Sequence, residues 1–171
     1  MDYKRAAKKI IATVGEEKLK SKVEILAPIE GTVVKLDEVP DQVFAEKVMG
    51  YGIAIEPSTD KVVSPVEGEV IHLLDSNHAV GLRTTDGVEI LIHIGIDTIK
   101  MEGQGFKSFV KEGDKVEIGD DLIEFDLDKV NEEAKSILTP VVITNTDQFA
   151  MITRLQEGII NIGDKILEVK F

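Results

Sequence analysis

"APIEGTVVKL" (residues 27–36) returns as "SPVEGEVIHL" (residues 64–73), with proline, glutamate, glycine and valine in register. In each copy proline leads into a strand-like alternation and Glu-Gly supplies a turn. A second echo is looser. "VKEGDKVEIGDDLIEFD" (110–126) and "LQEGIINIGDKILEVKF" (155–171) each pass through a Gly-Asp where a tight turn needs a positive φ. Duplication of this kind points to two related β-units packed about a pseudo-symmetric core. The repeats are architectural and carry no chemistry of their own.

From Lys22 onward the chain consists of short β-like runs between turn signals. Strands are expected at 23–27, 31–37, 51–56, 61–63, 68–74, 78–84, 88–94, 108–110, 122–126, 141–144, 158–160 and 166–170. In this stretch only "LDKVNEEAKSIL" (127–138) has helical spacing, with Leu127, Val130, Ala134, Ile137 and Leu138 on one side. The expected fold class is all-β, a sandwich or barrel with one or two short helices. Before Lys22, "YKRAAKKIIATV" (3–14) sets Tyr3, Ala6, Ala7, Ile10, Ile11 and Val14 among Lys and Arg at helical spacing. Residues 1–21 are therefore expected to be a basic tail or short amphipathic helix, open to weak association with an anionic membrane surface. Residues 22–171 make the domain.

The 171 residues suffice for one domain with a sizeable core. The absence of cysteine excludes disulfides, thiolate catalysis and cysteine zinc sites. No apolar run approaches the roughly 18 residues of a membrane span, and a cytoplasmic location is expected. The net charge of −12 is uneven, because residues 1–22 carry seven basic and three acidic side chains. So acidic a body excludes nucleic acid as a partner and favours basic proteins.

His72, His78 and His93 are the chain's three histidines. His72, in "EVIHLLD", alternates with Ile71 and Leu73 and is expected to face outward. His93 sits in "GVEILIHIGIDTIK" (87–100), where Val88, Ile90, Ile92, Ile94 and Ile96 already complete one apolar face. Its own face carries Glu89, Gly95 and Asp97, so core filling does not explain it, and Gly95 opens room beside the ring. His78 lies on the preceding strand, joined through "TTDG" as a hairpin. An even loop over Thr85-Asp86 sets His78 opposite His93 on one face. An odd loop pairs Ile90 with Leu82 and Ile92 with Val80, a tidier core, and puts the imidazoles on opposite faces.

Two chemistries follow from such a pair. A neutral imidazole accepts a phosphoryl group on one nitrogen if the other stays protonated in a hydrogen bond, for which the Gly95 carbonyl is a candidate. A second imidazole and the Ser76 hydroxyl would donate to the phosphoryl oxygens. No phosphate-cradling P-loop is present, so the donor is not bound ATP. The alternative is zinc held by His78, His93 and Asp97, although residues 93 and 97 stand about 13 Å apart on a regular strand.

The stretches "APIEGTVVKLDEVPDQVFAEKVMGYGIAIEP", "SPVEGEV", "NHAVGL", "GVEILIHIGIDTIKMEGQGF" and "EGDKVEIGDDLIEFD…AKSILTPVVITN" resemble the enzyme IIA component, glucose class, of the sugar phosphotransferase system. The resemblance runs from about Val23 to Phe171. It implies an antiparallel β-sandwich in which His93 is phosphorylated by the phosphocarrier HPr and passes the group to the IIB unit of a sugar permease. It implies that His78 lies beside His93 in a shallow depression and stabilises the phosphoryl group, which favours the even loop. Ser76 stands where threonine is usual and keeps the hydroxyl.

By the same resemblance the partner rim comprises Asp41, Val43, Phe44, Val48, Leu74, Leu91 and Asp97. Leu74 and Leu91 replace phenylalanines common in the family, so the rim should be flatter. The implied partners are HPr, the IIB and IIC permease units and regulatory target proteins. No cofactor is required; a transient zinc at His78 and His93 would need a partner's carboxylate. Two rivals stand beside this. A zinc hydrolase of related architecture is one. The other is a carrier module, since "VKEGDKVEIGD" also resembles the hybrid barrels of biotinyl and lipoyl domains, though no Met-Lys-Met attachment site is present.

Overall fold

The computed structural model describes residues 21–171. Fourteen strands within them, all paired antiparallel, form one eight-stranded sheet and two three-stranded sheets. The duplication dictates this layout. The first decapeptide joins β1 (Lys22–Leu26) to β2 (Gly31–Val34), and the second joins β4 (Lys61–Val63) to β5 (Gly68–Leu73). The looser echo supplies their partners. β13 (Gly158–Ile160) and β14 (Lys165–Lys170) pair with β2 and β1. β9 (Lys115–Val116) and β10 (Asp121–Phe125) pair with β5 and β4.

The two units clasp each other reciprocally. Leu26 N–H donates to Pro65 O at 3.2 Å, and Val63 N–H donates to Pro28 O at 2.8 Å. Each proline segment also receives its own Gly-Asp turn in the same way. Ala27 N–H donates to Asp164 O at 2.7 Å and Ser64 N–H to Asp120 O at 2.8 Å. Both aspartates fold a carboxylate oxygen back onto a backbone N–H three residues earlier, of Asn161 and Glu117, at 2.8 Å. The repeated Glu-Gly has a steric cause: a Cβ on Gly31 would overlap Glu56 O, and one on Gly68 would overlap Arg83 O. Those carbonyls belong to the neighbouring strands β3 (Tyr51–Pro57) and β6 (Ala79–Thr84).

The middle of the large sheet is completed by β7 (Glu89–His93) and β11 (Thr139–Ile143), in the order β13-β2-β3-β11-β7-β6-β5-β9. The order is linear with two free edges, so this is a sandwich and not a closed barrel. Strand alternation divides the core. Ile53, Ile55, Val80, Leu82, Ile90, Ile92, Val141 and Ile143 face a main cluster shared with Ile25, Leu122, Ile123 and Leu167. Ala54 and Val142 face the other way, into a smaller cluster with Leu36, Val39, Phe44 and Ile96. Each fully buried isoleucine or leucine contributes roughly 1.5–3 kcal/mol.

Several boundaries differ from the sequence expectation. β9 is two residues long and has no period to read. β12 (Met151–Arg154) was not expected; it pairs with β14 as β8 (Phe106–Ser108) pairs with β10, and so is a product of the duplication. Helix α1 (Gln42–Ala45) is one turn, too short for periodicity, and is set by its N-cap: Asp41 Oδ1 accepts from Val43 N–H at 2.9 Å. Helix α2 (Leu127–Glu133) ends before Leu138 because Ala134 turns extended and Ser136 bridges to Ile96. The single apolar face expected over 88–96 ends at Ile94; Gly95, at φ 68°, turns the chain and sends Ile96 into the smaller cluster. The expected segment 3–14 lies outside the described residues. Among those described, no helix is long and apolar enough to cross a membrane.

Candidate functional site

His93 closes β7, on the face opposite the main core. Gly95 then reverses the chain, and its carbonyl accepts a hydrogen bond from His93 Nδ1 at 2.7 Å. Only glycine suits the position, because a Cβ there would meet Thr98 Cγ2 at 2.8 Å and Ser136 O at 2.9 Å in addition to the left-handed φ. With Nδ1 occupied as donor, the free lone pair of a neutral His93 is on Nε2. The ring is partly exposed, and Phe44 packs against it with centroids 5.2 Å apart.

The register of β6 on β7 is the odd one. Leu82 pairs with Ile90, Val80 with Ile92 and Ala79 with His93, and Thr84 N–H reaches Val88 O around a three-residue loop. The even register favoured above is therefore corrected: core pairing decided it. Even so, the two imidazoles meet, with centroids 5.1 Å apart and planes at 80°. The separation expected of an odd loop assumed regular strands to the end. His78 lies one residue before β6, after Asn77 at φ 58°, and its carbonyl accepts from Ile94 N–H at 2.8 Å. Face alternation holds only within paired strands, and both histidines sit where the pairing stops.

His78 is 1% exposed and lies edge-on to Phe106 as well, with centroids 6.3 Å apart. Its buried Nδ1 has no hydrogen-bond partner. Burial, and secondarily the neighbouring His93, pushes its pKa down to about 4. The pKa of His93 is also lowered by burial; the Gly95 carbonyl and the Asp41 and Asp97 carboxylates oppose that shift. Both rings are thus neutral near pH 7, the state a nucleophilic nitrogen requires.

Around them the remaining expected residues take distinct places. Val43, Val48 and Leu74 are exposed, Val48 by 72%, and Leu91 is partly buried against the smaller cluster. Phe44 is only 5% exposed and forms a wall of the His93 site, so it is not a surface contact of the rim. Asp41 caps α1, and Asp97 is exposed at φ 59°. Ser76 sits in the turn before His78, and among the described residues neither imidazole hydrogen-bonds to it. His72 is exposed beside Glu112, as expected.

Sequence reasoning did not single out Phe106, Thr98 or Thr139. All three lay within quoted motifs, and nothing in their local spacing pointed to the histidines. Ile99, 65% exposed just after Asp97, adds apolar surface to a turn that no periodicity describes. Among the described residues no three His, Cys, Asp or Glu side chains are grouped to hold a metal ion. Two open cavities, of about 810 and 730 Å³, are lined by neither imidazole.

The site thus presents a neutral imidazole with one fixed tautomer beside exposed apolar side chains, outside the two large cavities. The sequence model of the phosphoenolpyruvate-dependent sugar phosphotransferase system EIIA 1 family matches residues 23–149, and the chain belongs to that family. It is 52% identical over 130 residues to the glucose-specific EIIA component of Halalkalibacterium halodurans, covering 76% of this chain and 75% of the relative. To the glucose-specific EIIA component of Staphylococcus aureus (strain COL) it is 43% identical over 148 residues, 86% of this chain and 89% of the relative. The solved glucose permease IIA from Mycoplasma capricolum superposes with a TM-score of 0.80 at 37% identity, over 86% of this chain and 95% of that one. The protein is a phosphoryl-transfer component of the phosphotransferase system, and neither the hydrolase nor the carrier-module alternative is supported.

Proposed function

We propose that His93 is the phosphoryl acceptor, taking the group on Nε2 from phospho-HPr and handing it to the IIB unit of a glucose-class permease. The observation that carries this is the 2.7 Å bond from His93 Nδ1 to Gly95 O, which leaves Nε2 as the nucleophile. In the transfer, the Nε2 lone pair forms the N–P bond as the bond from phosphorus to the donor nitrogen of HPr breaks and that nitrogen regains its pair. The second transfer reverses the roles, with His93 as leaving group.

His78, neutral at working pH, carries its single N–H on Nε2 and donates it to the phosphoryl oxygens, with the Ser76 hydroxyl as a further donor. Asp41, Val43, Val48, Leu74, Leu91 and Asp97 form the docking rim: the apolar members exclude water from a hydrolysable N–P bond, and the carboxylates meet basic residues of HPr. No cofactor enters the reaction. Zinc would bind His78 and His93 only with a carboxylate from a docked partner, because two imidazoles leave a tetrahedral set incomplete. The partners assign the domain to the cytoplasm.

Incubation with phosphoenolpyruvate, enzyme I and HPr should add one acid-labile, base-stable phosphate per chain. The label should vanish in His93→Ala. In His78→Gln it should still form, while onward transfer to the permease fails. A label that persists in His93→Ala overturns the assignment.

A further inference from the structure

The peptide unit between Ile94 and Gly95 is held at both ends by buried hydroxyls. Its carbonyl, Ile94 O, accepts from Thr98 Oγ1 at 2.8 Å. Its N–H, on Gly95, donates to Thr139 Oγ1 at 3.4 Å, and that hydroxyl passes its own proton to Ile137 O at 3.1 Å. Thr98 and Thr139 are both 0% exposed. They come from different elements, the 3-10 turn Thr98–Met101 and the first residue of β11. Neither touches an imidazole through any of these bonds.

The clamped unit lies between His93 and the Gly95 carbonyl that fixes its tautomer. Gly95 is the residue with the least steric resistance to rotation about φ, so the peptide on its N-terminal side is the one most free to flip. Net rotation about that φ would swing the Gly95 carbonyl away from Nδ1. We propose that Thr98 and Thr139 are positioning residues for phosphoryl transfer, holding the 94–95 peptide so that Gly95 O keeps the His93 proton on Nδ1 and the lone pair on Nε2. The pair acts on which nitrogen is nucleophilic and not on partner docking. This rests on His93 as the acceptor.

The test uses Thr98→Val and Thr139→Val, which lose the hydroxyl, and Thr98→Ser and Thr139→Ser, which keep it. Nitrogen-15 spectra of the full chain report the His93 tautomer directly, and the same spectra show that each variant is folded. The wild type and both serine variants should show Nδ1–H alone. Both valine variants should show a mixture of tautomers, and their maximal rate of phosphorylation by phospho-HPr should fall about fivefold or more, the equivalent of one hydrogen bond. The half-saturating HPr concentration should not change. A valine variant that keeps the pure Nδ1–H signature, or one whose loss serine fails to restore, overturns the proposal. If wild-type His93 takes no label, the acceptor assignment fails instead, and the spectra still decide whether the threonines set the tautomer.

Discussion

The two pseudo-symmetric ends of the large sheet share a backbone plan but not a chemistry. Matching Gly31–Pro57 to Gly68–Thr84 puts Tyr51 in the place of His78, and carrying the match across the sheet puts Val142 in the place of His93 and Thr144 in that of Gly95. Even the kink before the first residue is shared, since Gly50 and Asn77 both have positive φ. What is not shared is the glycine turn after the second residue: Thr144 is not in the left-handed region. Duplication thus supplied the fold twice and a carbonyl aimed at a side-chain nitrogen once.

The connections differ as much as the ends. In the second unit five residues, 74–78, join β5 to β6. In the first, residues 35–50 join β2 to β3 and carry α1, with Asp41, Val43, Phe44 and Val48. Phe44 from this longer connection packs on His93 of the other unit. The site is therefore composite: one unit holds the histidines and the other supplies the wall and part of the rim. Loops on a rigid symmetric scaffold are free to diverge in this way, because the sheet core does not constrain them.

The largest effect that would test the equivalence is steric. Gly31→Ala and Gly68→Ala should each cost about 3 kcal/mol, since each forces a backbone carbonyl to move. Urea denaturation should find the two losses similar, and a marked inequality would break the correspondence. An effect of about the same size separates the ends by pH. His78 titrates at about 4 in the folded protein and near 6.5 when unfolded. Between those values the unfolded chain holds the extra proton, so stability falls as pH drops from about 6.5 toward 4, by roughly 3 kcal/mol in all. His93, shifted in the same direction, adds to the fall. His78→Gln should lose less stability than the wild type over that window, and parallel loss would show that His78 is not held neutral. The smallest effect is expected at the other end. Tyr51→His should leave the protein with one phosphate per chain, because it adds only the counterpart of His78 while Val142 and Thr144 still stand in the places of His93 and Gly95, and a second phosphate would refute that distinction.

Much of the scaffold was legible. The decapeptide echo, the alternation of Ile90, Ile92 and Ile94 and the Gly-Asp turns rest on local rules: side-chain period, turn sterics and short-range hydrogen bonds. His93 was legible because its strand already had an apolar face without it. The tidier core pairing of Leu82 with Ile90 was legible too, and it holds. What was not legible is how His78 reaches His93 in that register, since the departure at Asn77 and Gly95 lies beyond the strand ends where periodicity has no meaning. Phe44 was placed on the rim, yet it is buried, because which way one turn of helix folds against the sheet depends on the cavity around Ile96 and Val142.

The sequence by itself determined the duplicated β-architecture, the acidic body and the histidine that stands apart from its strand's core face, since each follows from composition or from contacts near in the chain. Only the tertiary structure decided that His78 meets His93, that Phe44 walls the site, and that the distant Thr139 hydroxyl reaches the peptide that Thr98 holds locally. Those contacts join residues far apart in sequence, and their geometry is fixed by how the two units pack.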